Sequence, residues 1–82
     1  MTHPTIHTNG TSRDALLDDA CTVVNAIVLA IDAACSRGPN ARDYYPQGDG
    51  AFEKARAEHD SRIARLVEVR KEYEAIAEAI AG

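Results

Sequence analysis

The sequence predicts an all-α fold: an antiparallel hairpin of two long helices behind an extended N-terminal arm, assembling into a homo-oligomeric helical bundle. Three observations lead there. Fifteen alanines against 3 Tyr, 1 Phe and no Trp favour helix over sheet. Apolar residues recur at helical spacing in two long stretches, parted by a segment rich in glycine and proline. With 82 residues in all, one hairpin buries too little apolar surface to stand comfortably alone, so a self-associating chain, at least a dimer, is expected.

The arm comes first. Residues 1–11, "MTHPTIHTNGT", hold Pro4, Asn9 and Gly10 and only Ile6 as a sizeable apolar group after Met1. Asn9-Gly10 suits a tight hairpin turn, but no second strand-like run follows, so the segment reads as the lead-in to a helix. Thr11 or Ser12 caps the first amides, and Asp14 suits the first turn.

The first helix is expected from about Arg13 to Ser36, within the span 12–37, ending at Gly38, which tolerates a positive φ, and Pro39, which cannot continue the ladder. Asp14, Asp18, Thr22, Asn25, Asp32 and Ser36 share one narrow stripe, interrupted by Leu29. Apolar residues cover more than half of the circumference, more than one neighbouring helix can bury. Cys21 and Cys35, fourteen residues apart on this helix, are expected as small core hydrophobes. At 1.5 Å per residue they lie about 21 Å apart, out of disulfide reach within the chain.

The connection, residues 38–49, is long for a helical hairpin. It carries "NARDYYPQG", a cluster unlike the small polar residues of a mobile loop. Tyr44 and Tyr45 offer flat faces for stacking a ring, and Arg42 with Arg37 offers forked donors for phosphate or carboxylate. The alternative is a plug, in which the tyrosines fold back over the open end of the hairpin and Arg42 pairs with Asp43.

The second helix is expected over 50–81, beginning near Asp49 or Gly50 and running for roughly 46 Å. A heptad reading places Phe52, His59, Leu66, Tyr73 and Ile80 in one register of its seam, and Ala55, Arg62, Val69 and Ile76 in the other. A desolvated Arg62 needs an acceptor: Asp43, Asp49 or Glu58 inside the chain, or an anionic ligand. Lys54/Glu58, Arg56/Asp60 and Glu68/Lys71 read as a solvated face.

The formal charge of -4 removes the general attraction to phosphate backbones on which nonspecific nucleic-acid binders rely, while leaving room for one small anion in a local basic pocket. Long nucleic acid is not an expected partner. With neither a signal-peptide pattern nor an 18-residue apolar run, the expectation is a cytosolic protein that neither enters nor crosses a membrane. His3, His7 and His59 show no metal-cage spacing, and no nucleophile-base pattern or glycine-rich phosphate loop is visible, so neither metal, cofactor nor enzymatic activity is expected, a small hydrolase using His59 being the third and least favoured alternative.

The candidate ligand-binding residues are therefore Tyr44, Tyr45, Arg42, Arg62, His59 and Asn40, with Asn9, Thr11 and Ser12 offering hydroxyls and amides at a helix N-terminus. The last three lie about 36 Å from the tyrosine loop within one hairpin. Antiparallel pairing of two hairpins would bring each chain's Asn9 to Ser12 beside the partner's loop, giving two composite sites.

"HTNGTS", "PNARDYYPQG" and "AEHDSRIARL" resemble segments of a group of small bacteriophage proteins of about this length. The resemblance implies a soluble accessory protein in the cytoplasm of an infected bacterium. Small oligomeric phage proteins with pockets between subunits include inhibitors that sequester nucleotide immune signals, an analogy of size and architecture. The expected function is thus sequestration of an anionic nucleotide-like ligand, with a helical module that binds a host or phage protein as the alternative.

Overall fold

The computed structural model describes all 82 residues and contains two long helices packed against each other, with no strand. Helix α1 spans Arg13–Ser36 and α2 spans Ala51–Ala81. No helix is long and apolar enough to cross a membrane.

Helix α1 begins where the sequence places it. Ser12 is the cap: its Oγ accepts a hydrogen bond from the Ala15 amide at 3.2 Å, with Ser12 itself extended. Ahead of it, a turn closes through the Gly10 amide donating to the His7 carbonyl at 3.1 Å, and residues 1–11 are exposed throughout. The end of α1 differs from expectation in mechanism. Arg37 leaves helical geometry at φ -130°, its amide donating to the Ala34 carbonyl, whereas Gly38 takes no positive φ. Pro39 then prevents resumption of the ladder.

Two single-turn 3-10 helices, Ala41–Asp43 and Tyr45–Gln47, fill the connection. Asn40 starts the first, its side-chain oxygen accepting from the Arg42 amide at 3.3 Å. Two glycines turn the chain into α2. Gly48 lies at φ 98°, ψ -176°, a region essentially closed to other residues, and Gly50 adopts the left-handed conformation at φ 83°. Glu53 sits favourably in the first turn of α2.

The hairpin is a rod of 62 × 20 × 17 Å. Its interior is thin: only Ala20, Ile31 and Ile80 are buried. The expectation that Cys21 and Cys35 belong to a core is corrected, since both are exposed. A hairpin has one inward face per helix, and these cysteines lie to the side of it.

The seam of α2 also needs correction. Phe52, His59, Leu66 and Tyr73 are half-buried and Ile80 is buried, as the first register requires. Of the second register, Arg62 and Val69 are exposed, while Ile63 and Arg70 are half-buried instead. The contact line steps four residues from His59 and from Leu66 rather than three, so Arg62 falls just outside it.

Candidate functional site

One hydrogen bond fixes the two helices at the loop end. His59 Nε2 lies 2.8 Å from the Ala34 carbonyl oxygen, and because that partner can only accept, Nε2 carries the proton and donates. The same carbonyl accepts from the Arg37 amide at 3.2 Å, so the histidine occupies its second lone pair at the last turn of α1. It also sets the register. Ala51 lies eight residues before His59, so α2 overhangs the level of Ala34 by about 12 Å, with the connection packed beside it.

Against this overhang the two tyrosines part company. Tyr44 is half-buried, its ring tilted 49° to that of Phe52 with centroids 6.5 Å apart, as in a plug. Tyr45 is 76% exposed. They do not form one stacking platform. Tyr45 shares with Tyr44 a recess of about 270 Å³ that also contains Asp49 and Glu53, an acidic setting.

On its other side Tyr44 joins Arg37, Pro39, Ala55, Glu58, His59 and Arg62 around a recess of about 310 Å³. Four of these, Arg37, Tyr44, His59 and Arg62, are residues whose chemistry the sequence singled out. Ala55, Glu58, His59 and Arg62 reach it together because three- and four-residue steps place them on one side of α2. That spacing was visible in the sequence; the partnership with Arg37 and Pro39, across the end of α1, was not.

Arg62 reaches this recess from the exposed surface, not from within a dry seam. None of its expected internal partners is engaged. The ion pairs of the structure are Arg70–Glu74 at 3.4 Å and Lys71–Glu68 at 3.6 Å, so Asp43, Asp49 and Glu58 leave Arg62 free, and Arg42 and Asp43 do not pair. Of the expected charge pairs on α2, Glu68/Lys71 forms, whereas Lys54/Glu58 and Arg56/Asp60 do not.

The remaining candidates are placed apart. Arg42 is exposed, and the Asn40 side-chain oxygen is engaged with the Arg42 amide. Asn9, Thr11 and Ser12 are exposed near the N-terminal end of α1, with Ser12 occupied as the cap. No side chain of the same hairpin end meets them at the tyrosine loop.

A third recess, of about 420 Å³, lies on the other side of His59 and is lined by residues including Cys35, Phe52, Arg56, Asp60 and Ile63. Its charges are mixed, so it offers an anion less than the recess that holds Arg37 and Arg62 together. No family model matches the chain, and comparisons with curated proteins and with solved structures return no match.

Proposed function

We propose that the protein binds and sequesters a small anionic, nucleotide-like ligand without turning it over. The observation that carries the reading is the recess of about 310 Å³ in which Arg37 and Arg62, neither engaged in an ion pair, meet Tyr44 and His59. In this reading the guanidinium groups hold phosphate in forked geometry, the Tyr44 ring stacks on a base, and His59 orients the ligand. Tyr45 and Arg42, exposed on the same connection but outside this recess, and Asn9, Thr11 and Ser12 of a neighbouring copy are the further groups this reading would recruit to the ligand. The resemblance to small phage proteins supplies the setting, in which a nucleotide immune signal is the ligand class and the protein acts against host defence.

Isothermal titration with cyclic dinucleotides and ADP-ribose derivatives tests the reading. Binding is expected, weakened by roughly tenfold or more in Arg62→Ala and Arg37→Ala, the loss typical of a charge-assisted hydrogen bond. Intact ligand recovered after denaturation marks binding without turnover. Absence of heat with folded protein, or equal affinity in Arg62→Ala, overturns it.

A second reading, a module that docks on a host or phage protein, draws on a different observation: Leu29, 70% exposed, and Val69, 40% exposed, are large apolar groups left in solvent. Stoichiometric capture of one defined protein, abolished by Leu29→Lys, would favour it.

A further inference from the structure

The hairpin exposes 6056 Å², whereas a compact monomer of 8.8 kDa exposes about 4,800 Å² by the usual scaling with mass. The exposed arm holds part of this excess of roughly 1,300 Å² per chain, and the remainder, on the hairpin, is surface that a partner can cover. One flat side of the hairpin carries the means to bury it.

That side is marked by two grooves. Near the loop, Cys35 of α1 faces Arg56, Asp60 and Ile63 of α2; near the other end, Cys21 and Val24 face Glu74 and Ala77. The Arg37–Arg62 recess opens on the opposite side, lined by Ala55, Glu58 and Arg62. Along the grooved side of α2 the residues form complementary pairs about one centre. Arg56 and Glu74, Asp60 and Arg70, and Ile63 and Val67 are each placed symmetrically around position 65. Along α1, Cys21 and Cys35 are likewise placed symmetrically around Val28.

The two centres lie at the same height. The hydrogen bond between His59 and Ala34 sets the register of the antiparallel helices, and Arg65 is six residues beyond His59 just as Val28 is six residues before Ala34. From that level mark the two centres therefore coincide to within about one turn, roughly 5 Å. A two-fold axis at this height stacks a second hairpin on the first, antiparallel, with Arg56 meeting Glu74, Asp60 meeting Arg70 and Ile63 meeting Val67, while Glu78 of the same groove falls opposite Phe52. Arg70 is paired within the chain to Glu74 and is part-exposed, leaving its terminal guanidinium nitrogens as the group a partner's Asp60 would meet.

We propose that this side is the docking surface for a second copy of the chain, with the dyad lying in the interface and crossing α1 and α2 at the height of Val28 and Arg65. The inference does not rest on the ligand reading. The dyad sets the partner's Ser12 level with Asp49 and Gly50 but on the side away from the Arg37–Arg62 recess, so this dimer leaves that recess open to solvent and does not complete it.

Cross-linking and charge exchange on the full chain, without ligand, test it. In the dimer Cys21 of one chain faces Cys35 of the other, so oxidation with copper-phenanthroline is expected to give a covalent dimer whose peptides map to a Cys21–Cys35 link. Cys21→Ser or Cys35→Ser alone abolishes the link, since like cysteines sit about 21 Å apart in this arrangement. Asp60→Arg or Arg70→Asp alone weakens dimerisation by roughly tenfold or more, through two like-charge contacts per dimer. The double exchange restores it, although the two positions are too far apart, about 15 Å, to repair each other within one chain. A larger assembly with the Cys21–Cys35 link supports the surface equally. A monomer by sedimentation at micromolar concentration, like-to-like cysteine links, or a double exchange no better than the single variants overturns the proposal.

Discussion

His59 does most to position the end of the hairpin. It is half-buried, donates Nε2–H to the Ala34 carbonyl at 2.8 Å, and its ring lies 3.8 Å from where a Cβ on Gly38 would stand. His59→Ala removes one interhelical hydrogen bond and the ring's packing, so a loss of about 1–3 kcal/mol is expected in chemical denaturation followed by circular dichroism. Histidine's place in the first register of α2 was legible from its seven-residue spacing to Phe52 and Leu66, because that register is a property of α2 alone. The placement of Arg62 was not. Steps of three and four residues from His59 both satisfy a helical period, and the choice between Arg62 and Ile63 depends on the direction from which α1 approaches. Tyr44 and Tyr45 were legible as a cluster but not as two surfaces, since the 3-10 turns that separate their rings arise from the packing of the connection on Phe52.

At the level of elements, the signals that worked were local. Ser12, Pro39 and the paired glycines around Asp49 act within a few residues of themselves, and α1 spans Arg13–Ser36 as its caps and breakers dictate. Ser12→Ala leaves the Ala15 amide without its side-chain acceptor, and thermal denaturation is expected to show a loss of about 1 kcal/mol. The connection should be more sensitive. Gly48 at φ 98°, ψ -176° has open space around it, so Gly48→Ala acts through backbone strain alone and is expected to cost about 1–3 kcal/mol. Gly38→Ala provides the contrast. Its added Cβ would stand 3.8 Å from the His59 ring, an ordinary contact, and Gly38 has no positive φ, so the change should leave stability within about 0.5 kcal/mol. Equal losses at the two glycines, measured side by side, would refute the strain assignment.

For the whole molecule, the thin interior is the controlling fact. A radius of gyration of 18.4 Å exceeds the roughly 12 Å of a compact chain of this length, and the exposed Cys21 and Cys35 lie on the same over-wide apolar surface of α1 that the sequence already showed. That a second surface needed covering was legible from α1 alone; which residues it contained was not, because exposure depends on where α2 lies. With so little buried in one chain, folding is expected to be coupled to association. Each tenfold dilution should then lower the stability of a dimer by about 1.4 kcal/mol, which corresponds to a fall in Tm of roughly 4 °C for two chains of this size. Helical circular dichroism from about 100 μM to 0.1 μM measures this directly, and it reports on association whichever face is used. A Tm independent of concentration would mean that three buried residues and one interhelical hydrogen bond from His59 suffice, with the helices stable largely through their own backbone ladders.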